Sequence, residues 1–115
     1  VICRSGATTI AEITAAGRVS ALIPFPYATN NHQEHNARII ETANAGEVIL
    51  DNEISGERLA KSITRAMDEP ENLREMEDNS YQLGSRDATE KVRKICEDLM
   101  KKKINQREVN FLKKK

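Results

Sequence analysis

The chain has 115 residues, of which 31% are charged and 3% aromatic, and its formal net charge is zero. This length allows one compact domain and excludes a complete two-domain enzyme. The scarcity of aromatic rings disfavours binding of single-stranded nucleic acid by base stacking, so no nucleic-acid partner is expected. No apolar run approaches the roughly 18 residues of a membrane-spanning helix, and the first residues lack the pattern of a signal peptide. We therefore expect a soluble, cytoplasmic protein.

The basic residues are concentrated at the end of the chain. Residues 101–115 contain seven Lys or Arg and one Glu, whereas residues 1–100 contain 11 basic and 17 acidic residues. A basic tail of this kind is either simply solvated or contacts an anionic membrane surface, where each cation contributes about 1 kcal/mol. The sequence leaves both interpretations open.

The first half of the chain alternates between predicted strands and helices. Short apolar runs predict strands over residues 1–3, 20–23 and 47–50. Between them, helix-forming residues predict a first helix over residues 7–16 that stops at Gly17. A second helix is predicted over about residues 31–44, starting at capping asparagines and ending at Gly46.

After Asp51 the pattern becomes helical. Ser55 is placed to cap one helix, and Pro70 stands in the first turn of the next. Asp87 and Glu90 have the spacing of a capping box at the start of the longest helix. The apolar stripe predicted for this helix consists of Val92, Ile95, Cys96, Leu99 and Ile104.

Alternating strands and helices with connections of this length predict parallel strands and an α/β fold. Because parallel sheets usually have more than three strands, we expect a partial doubly wound, Rossmann-like sheet of about three strands followed by C-terminal helices. The expected division is a partial α/β ligand-binding domain over residues 1–86 and a long helix with the basic tail over residues 87–115.

The chain contains two cysteines, Cys3 and Cys96. They lie far apart in sequence and match neither a zinc motif nor a disulfide framework. Both are therefore expected to be buried thiols.

The connection from the first strand to the first helix is a candidate phosphate site, because ligands of doubly wound folds bind at the carboxyl ends of the strands. Ser5 to Thr9 run from a strand end into a helix start, where unpaired backbone N–H groups and the helix dipole attract phosphate. Gly6 would let a ligand approach the main chain closely. The alternative is a plain tight turn, since the complete glycine-rich phosphate motifs are absent.

Glu12 follows Thr8 and Thr9 by four and three residues. It therefore lies on the same helix face, roughly 5 Å further along the axis. This step suits the distance from a pyrophosphate to its ribose, whose hydroxyls a carboxylate can bind. The alternative is an ordinary acidic residue near a helix start.

Amide and imidazole side chains are concentrated between Asn30 and Asn36. Such groups bind sugar hydroxyls without adding charge, although capping and solvation explain the asparagines equally well. His32 and His35 are one turn apart, but no third ligand is arranged around them, so no metal is expected. Residues 51–53 are expected to form a solvated loop, and the sequence shows no nucleophilic triad.

Four segments, taken in order, resemble one known family. They are residues 3–12 (CRSGATTIAE), 15–17 (AAG), 23–26 (IPFP) and 31–37 (NHQEHNA). Together they are similar to the MurG family, the N-acetylglucosaminyltransferases of glycosyltransferase family 28 that convert lipid I to lipid II in bacterial peptidoglycan synthesis. The resemblance covers residues 1–100 and implies the donor-binding half of a two-domain GT-B fold.

The resemblance implies which residues bind the donor, UDP-N-acetylglucosamine. Glu12 would bind the ribose, Gln33 with its neighbour His32 would contact sugar hydroxyls, and Asn36 and Arg38 would support the loop. The pyrophosphate would be held by the backbone of the first loop and by two threonine hydroxyls, in the segment Ser5, Gly6, Ala7, Thr8 and Thr9. No catalytic residue, metal or cofactor is implied for this part of the family fold.

The lipid I acceptor would bind to an N-terminal domain that precedes this segment in the family, so the chain alone is expected to be inactive. A peripheral position on the inner face of the bacterial cell membrane is expected. Two other functions fit the sequence: a partner-dependent donor-binding subunit of a split lipid-linked or exopolysaccharide transferase, and a non-catalytic module that binds lipid or protein through its last helix and tail.

Overall fold

The structure is a computed structural model in which residues 1–114 are described. Within them, three short strands alternate with two helices, and three further helices follow. The strands are β1 (Ile2–Cys3), β2 (Ser20–Leu22) and β3 (Gly46–Val48), and the helices are α1 (Ala7–Ala15), α2 (His32–Thr42), α3 (Gly56–Asp68), α4 (Pro70–Leu83) and α5 (Ala88–Lys113). Two short 3-10 turns lie at Thr29–Asn31 and Asp51–Glu53.

The three strands form one parallel sheet in the order β1-β2-β3. Ile2 pairs with Ala21, which in turn pairs with Glu47 on the third strand. The predicted α/β fold with a parallel sheet is therefore confirmed. Strands β2 and β3 end before the predicted boundaries, at Leu22 and Val48.

Alternation along β2 lets the sheet carry helices on both faces. Leu22 is fully buried in a cluster with residues of α2. Ala21 and Ile23 point to the opposite face, because successive side chains of a strand alternate. There they pack with Ile49 and with Leu59 of α3. Burial of a Leu or Ile side chain stabilises a fold by about 1.5–3 kcal/mol, so these clusters hold α2 and α3 on the sheet.

The two helices of the alternating region end in the same left-handed conformation, supplied by different residue types. Gly17 has a φ of 63°, which confirms the predicted end of α1. Helix α2 does not end at Gly46 as predicted: Asn44, with a φ of 52°, makes the left-handed turn. Gly46 is buried in β3, where an added Cβ would lie 2.5 Å from the carbonyl oxygen of Ser20. This glycine is therefore required by the close approach of two strands.

The starts of α3 and α4 agree with the sequence. The side chain of Ser55 accepts a hydrogen bond of 3.0 Å from the N–H of Arg58, as a helix cap does. Pro70 occupies the first turn of α4, where its missing N–H would have had no partner within the helix. Both predicted helix starts are confirmed.

A charged group that we call the Glu47 cluster (Glu47, Arg58, Ser62 and Arg65) joins β3 to α3. The carboxylate of Glu47 accepts hydrogen bonds of 3.2 Å from Arg58 and 3.1 Å from Arg65, and Arg58 also donates to the Ser62 hydroxyl. Burial raises the pKa of Glu47. The hydrogen bonds from Ser62 and Arg58 and the charges of Arg58 and Arg65 outweigh this effect and hold the pKa below its ordinary value.

The chain forms two compact units, of which the first is Val1–Ser85 and the second begins at Arg86. The second unit contains α5. The apolar stripe predicted on this helix faces solvent, because its large aliphatic side chains are more than half exposed: Val92, Ile95, Leu99 and Ile104. Among the described residues, no helix combines the length and the apolar character that crossing a bilayer requires.

The capping box predicted at the start of α5 is wrong. The side chain of Asp87 makes no capping hydrogen bond, and its carboxylate lies 2.9 Å from the ammonium of Lys91. Glu90 pairs in the same way with Arg93, at 2.5 Å. Both carboxylates are therefore turned towards cations one helical turn further along, which is the ordinary pairing on an exposed helix surface.

The two cysteines occupy different environments. Cys3 is half-buried beside the core, and burial raises the pKa of its thiol. Cys96 is exposed on α5, so the prediction that both thiols are buried is wrong for Cys96. Cys96 belongs to the apolar stripe of α5, and this stripe is exposed to solvent.

Candidate functional site

Three connections meet where the parallel strands end, because strands that point the same way end on the same side of the sheet. Residues 4–6 follow β1, residues 23–31 follow β2, and residues 49–53 follow β3. In doubly wound sheets this edge holds the ligand. The candidate site is therefore built from three connections that are distant in sequence.

Helix α1 begins with an open first turn. Gly6 is its N-cap residue, in extended conformation, and no side chain of the described residues caps this turn. A Cβ placed on Gly6 would meet no atom nearer than the Thr9 hydroxyl at 4.0 Å. Thr8 is exposed and Thr9 is half-buried. The main-chain N–H groups of this turn therefore face open space, which suits an anion.

Glu12 lies in the second turn of the same helix and is exposed. Its carboxylate makes no hydrogen bond or ion pair with any residue in the described part of the chain. The first turn of α1 holds no acidic residue. Glu12 therefore does not serve as a first-turn charge that stabilises the helix start, and its carboxylate is available to a ligand.

Ser5 joins the first connection to the second. Its side chain is fully buried, and its hydroxyl donates a hydrogen bond of 2.7 Å to the carbonyl oxygen of Gln33. Asn36 returns the contact, because its amide nitrogen donates to the carbonyl oxygen of Ser5 at 3.4 Å. The start of α1 and the first turn of α2 are thus held together. Because the Ser5 hydroxyl is engaged in this hydrogen bond, a contact of Ser5 with phosphate would be made by its main chain.

Gln33 is half-buried at the start of α2, and His32 beside it is exposed. The side-chain oxygen of Gln33 accepts a hydrogen bond of 3.0 Å from the main-chain N–H of Phe25. This bond fixes which end of the carboxamide faces the protein. The amide nitrogen of Gln33 remains as a donor for a ligand.

The asparagines before α2 shape the loop through their main chain. Asn30 and Asn31 both have left-handed backbone conformations, with φ of 54° and 53°. Asn31 is the N-cap residue of α2, but its side chain makes no capping hydrogen bond. The predicted side-chain cap is therefore wrong. Asparagine tolerates the left-handed region better than most residues, which explains its presence in this turn.

Arg4 and Asp51 form a part of the site that the sequence analysis missed. The guanidinium of Arg4 lies 2.7 Å from the carboxylate of Asp51, so residues 51–53 are not merely a solvated loop as expected. They form a 3-10 turn whose first residue, Asp51, contacts Arg4 after β1. An Arg directly after one strand and an Asp shortly after another were visible in the sequence, but their pairing across 47 positions was not.

The histidines of the loop do not form part of a metal-ligand cluster. Within residues 1–114, no three His, Cys, Asp or Glu side chains are grouped as metal ligands would be. His32 and His35 are both exposed. The donors that face the open edge are main-chain N–H groups, hydroxyls and an amide.

Residues 1–99 match the Glycosyltransferase family 28 C-terminal domain. The chain belongs to this family. Every residue that the sequence analysis assigned to donor binding lies inside the matched range. The second half of α5 and all of the basic tail, residues 101–115, lie beyond it.

Relatives in this family carry the name UDP-N-acetylglucosamine--N-acetylmuramyl-(pentapeptide) pyrophosphoryl-undecaprenol N-acetylglucosamine transferase. The protein of Thermoanaerobacter sp. (strain X514) is 48% identical over 99 residues, which make up 86% of this chain and 27% of that protein. The protein of Thermodesulfovibrio yellowstonii is 50% identical over 103 residues, or 90% of this chain and 28% of that protein. The chain spans about a quarter of the length of these relatives.

A solved structure shows the same architecture. The crystal structure of Acinetobacter baumannii MurG superposes with a TM-score of 0.74 and 29% sequence identity, over 84% of this chain and 29% of that one. The parallel sheet with its helices therefore corresponds to part of a family member's fold. The resemblance to the MurG family seen in the sequence is confirmed.

Proposed function

We propose that residues 1–99 bind UDP-N-acetylglucosamine as the donor portion of an inverting N-acetylglucosaminyltransferase. Its acceptor would be the undecaprenyl-pyrophosphoryl-linked muramyl pentapeptide of peptidoglycan synthesis, bound by a further domain of the enzyme. The observation that carries the proposal is the open first turn of α1 at the end of β1. The family membership and the names of the relatives support it.

The pyrophosphate is assigned to the start of α1. Main-chain N–H groups of residues 6–9 and the hydroxyls of Thr8 and Thr9 are the donors, and Gly6 leaves room for the phosphates. When the acceptor hydroxyl attacks the anomeric carbon, negative charge develops on the leaving UDP. Donors already oriented towards that charge lower the barrier, by about 3 kcal/mol for a good one.

The ribose and the sugar are assigned to the two neighbouring segments. The exposed carboxylate of Glu12 would accept hydrogen bonds from the ribose hydroxyls. The amide nitrogen of Gln33 would donate to a sugar hydroxyl, with His32 beside it. Ser5 would hold these segments at a fixed separation through its bond to the Gln33 carbonyl.

NMR titration of the isotopically labelled 115-residue chain with UDP-N-acetylglucosamine tests the proposal. We expect shift changes at the amides of residues 6–9 and at the side-chain amide of Gln33. Gly6→Ala should weaken binding about tenfold. Gly56→Ala is the matched control, because Gly56 also starts a helix and an added Cβ there meets nothing within 4 Å. Shift changes confined to other surfaces would contradict the proposal.

Activity is assigned to the whole enzyme and not to this segment alone. A chimera that carries residues 1–99 in place of the matching segment of the Thermoanaerobacter transferase should transfer N-acetylglucosamine, whereas the 115-residue chain should not. Turnover by the chain alone would contradict the need for an acceptor domain. Turnover only after addition of a separate membrane-anchored partner would favour the alternative of a split enzyme.

We also infer that the end of α5 contacts an anionic membrane surface on the cytoplasmic side. Its basic residues between positions 101 and 114 are exposed, and so are the apolar side chains of Met100, Ile104 and Phe111 on the same helix. Lys115, the last residue of the predicted tail, lies outside the described residues. The chain should sediment with vesicles that contain anionic lipid, and deletion of residues 101–115 should abolish this while nucleotide binding persists. Sedimentation that survives the deletion would contradict the inference.

A further inference from the structure

The side chain of Arg4 connects the ends of all three strands. It follows β1, pairs with Asp51 after β3, and donates hydrogen bonds to the carbonyl oxygens of Ile23 at 3.4 Å and Pro24 at 3.3 Å after β2. The guanidinium carbon also lies 5.7 Å from the ring centroid of Phe25. All three hydrogen bonds are donated by one terminal nitrogen, Nη1, and the delocalised guanidinium also lies near the Phe25 ring.

The segment that Arg4 contacts also holds the side chain of Gln33. Phe25 follows Pro24, and the N–H of Phe25 holds the side-chain oxygen of Gln33 at 3.0 Å. The Arg4–Asp51 pair is about half exposed, so its direct contribution to stability is small. Its effect is instead local: it restrains the main chain from which the Phe25 N–H projects.

We propose that Arg4, held by Asp51, is a positioning residue for the sugar end of the donor site. It fixes the main chain at Pro24 and Phe25, so that the Phe25 N–H orients the Gln33 carboxamide with its nitrogen towards the ligand. Arg4 itself does not touch the donor. The identity of the ligand in this inference rests on the proposed function. The restraint that Arg4 places on the loop does not depend on it.

The first test needs no ligand. Hydrogen exchange of the Phe25 amide is measured by NMR in the 115-residue chain and in Arg4→Gln, Arg4→Lys and Asp51→Asn. We expect exchange to be about fivefold faster in Arg4→Gln, with smaller increases in the other two, while core amides such as that of Leu22 are unchanged. Arg18→Gln is the matched control, because Arg18 is an exposed arginine that pairs with Glu77 away from this loop. Unchanged Phe25 exchange in Arg4→Gln would overturn the inference.

The second test separates the sugar from the nucleotide. UDP and UDP-N-acetylglucosamine are titrated into the chain and into Arg4→Gln. We expect the affinity for UDP to be unchanged, and the affinity for the nucleotide sugar to fall to that of UDP. An equal loss for both ligands would mean that Arg4 binds the diphosphate directly, which would overturn the inference. If the unmodified chain binds neither ligand, the proposed function fails, whereas the exchange experiment still decides whether Arg4 restrains the loop.

Discussion

The first unit contains two polar regions whose hydrogen-bonding groups are satisfied in opposite ways. In the Glu47 cluster, the carboxylate, both guanidinium groups and the hydroxyl are partners of one another. At the start of α1, the helix turn has no side-chain cap among residues 1–114, and the Glu12 carboxylate has no partner there. Polar groups that hydrogen-bond to one another stabilise a fold, whereas polar groups without partners at the carboxyl ends of the strands indicate a ligand site.

The largest expected effect comes from a glycine beside the Glu47 cluster. Gly46→Ala places a methyl group 2.5 Å from the Ser20 carbonyl oxygen and 3.0 Å from the Ile40 side chain, so two strands must separate. We expect the free energy of unfolding to fall by about 2–3 kcal/mol, measured by urea denaturation. Gly6→Ala, in the open region, should leave it within about 0.5 kcal/mol. Equal losses at the two glycines would contradict the distinction.

The Glu47 cluster itself should be sensitive to acid. The pKa of Glu47 is lowered in the folded chain, so its contribution to stability is complete above the unfolded-state value of about 4.3 and is lost as the pH falls through the folded-state pKa. Glu47→Ala leaves Arg58 and Arg65 without their shared partner and should cost about 2 kcal/mol at pH 7. Urea denaturation at pH 7 and at pH 3 should show a smaller acid-dependent loss in this variant than in the unmodified chain. An identical pH dependence would argue against the pairing.

At the start of α1, a substitution should change the affinity for the ligand without changing the free energy of unfolding. Glu12→Ala removes an exposed carboxylate, so the free energy of unfolding should change by less than about 0.5 kcal/mol. The affinity for UDP should fall about tenfold, the effect of one or two hydrogen bonds to a charged group. Glu57→Ala, at an exposed acid near the start of α3, is the control for net charge. The ribose assignment is wrong if the two variants bind UDP equally well.

The smallest effect is expected at an exposed ion pair that belongs to neither region. Arg18 lies 3.1 Å from Glu77, and its side chain is 64% exposed. Arg18→Ala should change the free energy of unfolding by less than about 1 kcal/mol and leave UDP binding unchanged. If Arg18→Ala lowers the free energy of unfolding as much as Glu47→Ala does, the exposure of an ion pair does not predict its contribution to the stability of this chain.

The sequence predicted the elements of the fold because their signals are local. Apolar runs, the cap at Ser55 and the stop at Gly17 each depend on a few neighbouring residues. The end of α2 was misplaced because asparagine and glycine both adopt left-handed conformations, and only the packing of Gly46 against Ser20 shows which one ends the helix.

The candidate site was predicted in part for the same reason. Gly6 and Glu12 lie on one helix, so their relation follows from helical geometry. The contacts of Ser5 with Gln33, and of Arg4 with Asp51, join residues 28 and 47 positions apart. No periodicity encodes such pairs, because they depend on where parallel strands end in space. The exposure of Cys96 likewise could not be predicted, because the spacing of the apolar residues on α5 does not show whether another part of the protein covers them.

The hydrogen bond from the buried Ser5 to Gln33 has a consequence for which donors can be accepted. It sets a constant length between the turn assigned to the diphosphate and the amide assigned to the hexose. A nucleotide sugar lengthened by one phosphate would then engage one of these groups at the expense of the other. We expect such an elongated analogue to compete no better than the nucleotide without its sugar.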